Sequence, residues 1–294
     1  MNELKEIKRA RIMAVLLLIL SILFSFMQYN CVYNLSHVKA EFVTCESDNF
    51  RKMDFEDECI QMIIHICDKW ELDRGETAAA LMLKYHYKCT MKAIESETAD
   101  TIKLFIRKMY RFYPEEFSRL SSLYKAILDD AAEAFFPVPL SLDVHKKWVN
   151  YVDSWGFERT YGGERRHEGT DIMALDNVRG QYPVLSACSG TVVNMGWLEK
   201  GGYRIGVMSE NGVYYYYAHL DSYAPQIEKG SKVSPGTLLG MMGDSGYSKV
   251  EGTKGKFDVH LHFGVYIYEN DNEISINPYS LLKFYENKIM QYSY

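Results

Sequence analysis

Hydrophobic patterning divides the chain into three textures. The first is one apolar run over residues 12–27, interrupted only by Ser21 and Ser25 and preceded by Lys5, Lys8, Arg9 and Arg11. It is slightly shorter than the ~20 residues of a membrane span, and Ala10 and Tyr29 can extend it. Residues 28–33 are bulky, without the small residues that a signal-peptidase site requires. The pattern predicts an uncleaved signal anchor over residues 1–30. Its charge asymmetry keeps the N-terminus cytoplasmic and places everything beyond it outside the membrane.

A polar stretch over residues 30–50 reads as a tether, and from about Phe55 to Phe136 the period is helical. Ile102, Phe105, Ile106, Met109 and Phe112 share one helix face, with Thr98 or Asp100 as cap. Phe117, Leu120, Tyr124 and Ala131 share another, opened by Pro114-Glu-Glu. Earlier helices over residues 56–70 and 76–90 are separated by Asp73-Arg-Gly75. Residues 31–136 thus form a tether and an α-helical region, a small bundle or stalk, in which His65 and His86 read as ordinary structural or surface residues.

Pro137-Val-Pro139 ends the helices. Beyond it, short β-prone runs lie between glycines, including residues 190–195, 203–208, 213–218 and 261–267, with Asn211-Gly212 as a hairpin signal. Residues 137–294 therefore read as a sandwich or open barrel, and the whole chain as an α+β multidomain protein. The 294 residues carry a formal net charge of -6, which disfavours a nucleic-acid partner. Six cysteines with irregular spacing leave disulfides and buried free thiols equally open, and none resembles a nucleophile or ligand.

The β segment carries the chemistry: His167-Glu-Gly-Thr-Asp171, then Tyr-Ala-His219-Leu, then His260-Leu-His262-Phe. Imidazole and carboxylate suit zinc, and a catalytic zinc needs three protein ligands plus an open position. Two further histidines remain for proton transfer and charge stabilisation. His260 and His262 share one face of a strand, and His219 has the parity of Tyr215 and Tyr217. The glycines around His167 argue for a loop, not a helical ligand pair. A closed structural site would use four ligands, often cysteines, and none accompanies these motifs.

The segment from about Tyr151 to Tyr279 resembles the M23 family of zinc metallopeptidases, the lysostaphin and LytM-like peptidoglycan endopeptidases. The resemblance rests on His167-Glu-Gly-Thr-Asp171-Ile, Pro183-Val-Leu-Ser-Ala-Cys-Ser-Gly190, Tyr217-Ala-His219-Leu-Asp, Val233-Ser-Pro-Gly236, Met242-Gly-Asp-Ser-Gly246 and His260-Leu-His262-Phe-Gly. It implies a mainly antiparallel β domain with an open groove. It also implies one zinc held by His167, Asp171 and His262, with His219 and His260 acting on water and substrate. A long lysine-bearing loop over residues 247–259 departs from the family pattern and is expected to wall the groove. Nothing familiar marks the helical region, whose partners are unknown and whose default role is a spacer, with autoinhibition as an alternative. The expected function is a membrane-anchored endopeptidase cutting stem or bridge peptides of bacterial peptidoglycan. The alternatives are a non-hydrolytic scaffold or regulator of wall enzymes, and a zinc peptidase acting on a glycine-rich protein.

Overall fold

A computed structural model describes residues 2–36 and 40–294, with side chains described for 11–29 and 40–294. It divides into two compact units, residues 1–41 and 42–294. The first is helix α1 (Asn2–Ser36), whose stretch Arg11–Tyr29 is long and apolar enough to cross a membrane.

The second unit begins inside the stretch read as a tether, where Cys45 and Phe50 are already buried. Its helices are α2 (Asp48–Arg51), α3 (Cys59–Trp70), α4 (Arg74–Lys84), α5 (Met91–Glu95), α6 (Ala99–Phe112) and α7 (Pro114–Glu133). Thr98 caps α6 in a reciprocal pair with Thr101, satisfying donors that the first turn leaves open. The expected break between the two helices falls at residues 71–73, where Asp73 caps α4, and Gly75 lies inside α4; a Cβ on Gly75 would collide with the Ser121 carbonyl oxygen of α7. The helix expected to reach residue 90 stops at Lys84. His86 and Tyr87 turn left-handed, and Lys88–Cys89 then pairs with Asp54–Phe55.

A ten-stranded sheet follows. Its strands are β1 (Val149–Asn150), β2 (Thr170–Ala174), β3 (Pro183–Leu185), β4 (Gly190–Leu198) and β5 (Gly202–Met208). They continue with β6 (Tyr214–Tyr223), β7 (Lys232–Val233), β8 (Leu238–Met242), β9 (His260–Glu269) and β10 (Asn272–Ile276). The order is β7-β4-β5-β6-β9-β2-β1, with β8 joining β6 to β3 and β10 edging β9. Every pairing in it is antiparallel, and the order does not close into a barrel. The Asn211-Gly212 turn forms at the expected place but spans five residues, closed by Ser209 N–H donating to the Val213 carbonyl at 2.8 Å.

Tyr215, Tyr217, Leu261, Phe263, Val265 and Ile276 form the buried side of the central strands. Each large apolar side chain hidden this way stabilises by about 1.5–3 kcal/mol over exposure. The helices dock through polar bonds as well as packing. Arg51 donates to the Ser275 carbonyl at 2.9 Å, Ser280 to the Phe55 carbonyl at 2.9 Å and Asn211 to Asp130 at 2.7 Å. Helix α8 (Tyr279–Tyr285) adds Leu281, Leu282 and Tyr285 to the buried set. All five described cysteines are free and buried; the Cys31 side chain lies outside the described residues. Burial pushes the Cys67 thiol up to about 11.

Candidate active site

Neighbouring strands β2 and β9 place Asp171 opposite His262 and Met173 opposite His260. Cross-strand partners share a face, so Asp171, His260 and His262 emerge together. His167 precedes β2 and is held by its backbone: its N–H donates to the Phe157 carbonyl, and its carbonyl accepts from Gly156 N–H, both at 2.8 Å.

These elements bring His167, Asp171 and His262 to one point, with one ligand atom from each lying within 4.8 Å of the others. His167 Nε2 is 2.9 Å from His262 Nδ1 and 3.0 Å from Asp171 Oδ1; His262 Nδ1 is 3.2 Å from Asp171 Oδ1. A tetrahedral ion with ~2.0–2.1 Å bonds needs ligand edges of about 3.3 Å. Two imidazole nitrogens and a carboxylate oxygen at such separations fit zinc in both geometry and donor type. Burial pushes the Asp171 carboxyl up, but its close contacts with the His167 and His262 rings outweigh this and keep the group ionised. Burial pushes His262 down to about 4, which leaves its ring neutral, the form in which an imidazole can bind a metal.

His219 and His260 stand beside this cluster, their rings 4.7 Å apart. His219 Nδ1 contacts the Ser245 carbonyl at 2.8 Å and His260 Nδ1 the Asp258 carbonyl at 2.7 Å. A carbonyl only accepts, so each Nδ1 carries the proton and each Nε2 keeps its lone pair. Burial lowers the pKa of both rings, holding them neutral. The same device fixes His167, whose Nδ1 meets the Ser154 carbonyl at 2.9 Å.

His219 reaches this position against its parity. Tyr215 and Tyr217 point into the core, whereas Tyr214 and Tyr216 line the groove. The β5–β6 register shifts between Tyr203 and Ile205, and His219 takes a left-handed φ of 63°. This bulge turns its ring from the core face to the groove. The loop after β8 does form a wall: Tyr247 lines the groove, and Phe257 packs on His219 at 4.6 Å and on His260 at 5.1 Å. Lys254 to Asp221 at 2.6 Å, and Gly255 N–H to Asp244 at 2.9 Å, pin that loop. Tyr161 stacks on Tyr247 at 4.3 Å from the opposite hairpin.

The resulting groove encloses about 380 Å³. Among the described residues, none from the helical region lines it. Sequence reasoning missed Arg159, whose Nη2 donates to Asp171 Oδ2 at 2.6 Å. It also missed the backbone carbonyls that orient the histidines. Neither acid next to the motifs does this work: Glu168 is largely exposed, and the Asp258 carboxylate accepts from Asn177.

Residues 165–278 match the model of peptidase family M23. A solved structure from Ruminococcus gnavus, described as a candidate glycyl-glycine endopeptidase LytM, is 40% identical with a TM-score of 0.67, covering 84% of this chain and 94% of that one. The chain belongs to peptidase family M23. Its likeness to the Ruminococcus structure exceeds what the β domain alone can supply, so this M23 chain shares its helical region with that relative. Among curated proteins, the L-Ala–D-Glu endopeptidase of Bacillus subtilis is 42% identical over 58% of this chain and 49% of its own length. Lysostaphin of Staphylococcus simulans is 32% identical over 34% of this chain and 19% of its own length. The M23 chain therefore spans half or less of the curated relatives it matches.

Proposed function

We propose that this chain is a zinc-dependent endopeptidase that hydrolyses peptides of bacterial peptidoglycan. The observation that carries the reading is the convergence of His167, Asp171 and His262 beside two neutral histidines in one open groove. The three-residue cluster is the proposed metal site, and zinc there supplies Lewis acidity toward a scissile carbonyl and water of lowered pKa. His219 and His260 are the proposed catalytic residues. One accepts the water proton at Nε2 and delivers it to the leaving amine; the other hydrogen-bonds the oxygen on which negative charge develops. Their Nδ1–carbonyl bonds hold the rings ready for either task.

The relatives' names supply the substrate class, peptides of the wall. The apolar helix over residues 11–29 suits a membrane anchor that holds the enzyme beside that wall. The division into an anchor (1–30), a helical region (31–136) and a peptidase domain (137–294) follows the same reading, with the helices serving as a support docked onto the peptidase. A scaffold without hydrolytic activity has no need of a complete set of oriented histidines.

The test uses the full zinc-loaded chain in detergent with isolated cell walls. Mass analysis of the released fragments should show new amino termini within stem or bridge peptides. A zinc-loaded chain that releases none refutes the enzyme reading.

A further inference from the structure

Arg204 lies in the groove floor on β5, and no carboxylate among the described residues pairs with it. Its Nη1 is closed off from solvent and makes no hydrogen bond, and no ion pair engages it among the described residues. Leaving such a donor unmet costs stability, and a guanidinium is the group best shaped to take a carboxylate through two parallel bonds.

The surroundings form a built recess. Two residues to either side on β5 stand Gly202 and Gly206, and across on β4 stands Gly196. The missing side chains of Gly206 and of Gly201, just before β5, leave room that two phenols enter. A Cβ on Gly206 would collide with the Tyr214 hydroxyl, and one on Gly201 with the Tyr216 hydroxyl. Asn194 donates to the Tyr214 oxygen at 3.3 Å, leaving that phenol's own proton to give. The acids that line the groove are drawn elsewhere: Glu273 accepts from Tyr268 at 2.7 Å, and Glu168 approaches Arg51 at 4.0 Å. A guanidinium and two phenols therefore gather donors at this end of the groove, beside the Glu273 carboxylate that Tyr268 already engages.

The recess adjoins the proposed metal site. Tyr216 packs edge-on against His262 with ring centroids 5.8 Å apart. Strands β5 and β9 are separated only by β6, so Arg204 and His262 start about 10 Å apart across two strand spacings. An extended peptide covers that distance in about three residues.

We propose that Arg204, flanked by Tyr214 and Tyr216, binds a free carboxylate carried by the substrate peptide within a few residues of the scissile bond. This rests on the endopeptidase reading and narrows it to acidic peptides over glycine bridges. A γ-linked glutamate, which leaves its α-carboxylate free, is one source; the peptide's C-terminus is the other.

The test measures kcat/KM of the full zinc-loaded chain on L-Ala-γ-D-Glu-L-Lys-D-Ala, on its α-carboxamide twin, on its C-terminal amide and on pentaglycine. The wild type should prefer the α-carboxylate over its carboxamide by about 10- to 100-fold, the range of one charged hydrogen-bonded contact. Arg204→Gln should bring that ratio close to one, whereas Arg204→Lys, which keeps a charge without the fork, should retain part of it. A preference lost on C-terminal amidation and abolished by Arg204→Gln also supports the site and names the other carboxylate. A wild-type ratio near one for both amides overturns the proposal without any variant, as does an unchanged ratio in folded Arg204→Gln. Cleavage of pentaglycine alone overturns this proposal and leaves the endopeptidase reading intact. Cleavage of none of the four peptides overturns the endopeptidase reading itself.

Discussion

Gly169, inside the His167–Asp171 motif, offers a sharp test of how tightly the ligand cluster is built. Its φ lies outside the left-handed region, so alanine meets no backbone strain there. By conformational entropy alone, Gly169→Ala should stabilise by about 0.4–1 kcal/mol. Space decides otherwise. An alanine Cβ would stand 2.8 Å from both Cε1 and Nε2 of His262 and 2.6 Å from the Phe263 carbonyl oxygen. Ordinary contact begins at 3.4 Å, so the His262 ring must retreat by about 0.6 Å (3.4 minus 2.8). A metal constellation tolerates about 0.5 Å. The carbonyl belongs to β9 and is the less able to yield, because β9 is paired on both sides. Zinc affinity should fall about 10- to 100-fold, as it does when ligand orientation is disturbed, and the metal-free fold should lose about 1–3 kcal/mol to overpacking. Competition for zinc against a chromophoric chelator reads the first quantity, and denaturant unfolding of the metal-free chain the second. Wild-type zinc affinity in Gly169→Ala would refute the claim that this glycine exists to seat His262.

Three further outcomes follow from the geometry. His262→Ala should lose both zinc and hydrolysis, whereas His219→Ala should keep stoichiometric zinc and lose at least about 100-fold in kcat; metal analysis beside turnover separates them, and residual wild-type turnover in either contradicts the roles proposed above. Gly75→Ala should destabilise by about 1–3 kcal/mol although alanine is the better helix former by about 1 kcal/mol, since the added Cβ would sit 2.5 Å from Lys125 Cβ; urea unfolding that shows a gain in stability would mean α4 and α7 are not in close contact. The Cys67 thiol, raised from 9.0 to about 11 by burial, holds its proton in the fold at pH values where the unfolded chain releases it. Stability from this group is therefore intact below about pH 9 and falls as pH rises toward 11, and Cys67 in the native chain should resist iodoacetamide at pH 8 until denaturant is added.

The site was legible where its chemistry depends on residue type. Only histidine supplies an imidazole and only an acidic side chain a carboxylate, and alternation along a strand puts His260 and His262 on one face. What could not be read depends on backbone. Ser154, Ser245 and Asp258 orient three histidines through main-chain carbonyls, which every residue possesses, so no side-chain identity marks them. Parity misassigned His219 because a single left-handed residue reverses the face of a strand, and histidine is not the residue type that advertises such a turn. Arg159 and Arg204 look like ordinary strand arginines; only the fold shows that one grips Asp171 and the other is left unmet. The helices were legible from their period. Their docking was not, since it runs through dispersed polar pairs such as Arg51–Ser275 and Asn211–Asp130 that are more than 80 residues apart in sequence.

That docking bears on what the helical region does. A cover that inhibits the groove must enter it, and none of its described residues lines the groove. A mere spacer has no reason to bury Cys45, Phe50 and Tyr124 or to supply Arg51 to the strand beside the site. Arg51 also lies over the Trp155 ring at 5.1 Å, with Arg166 near the same ring at 5.3 Å. Asp48 in turn holds Arg166 through both carboxylate oxygens, at 2.9 and 2.8 Å. Trp155 and Arg166 flank the two backbone bonds that fix His167, between Gly156 and His167 and between His167 and Phe157. The first short helix of this region thus clamps the hairpin that delivers His167, one of the three proposed ligands. Such a hairpin, with two-residue strands, is too short to hold its geometry alone. The region then acts as a buttress for the proposed metal site, and a fragment beginning near residue 137 should bind zinc more weakly than the full chain.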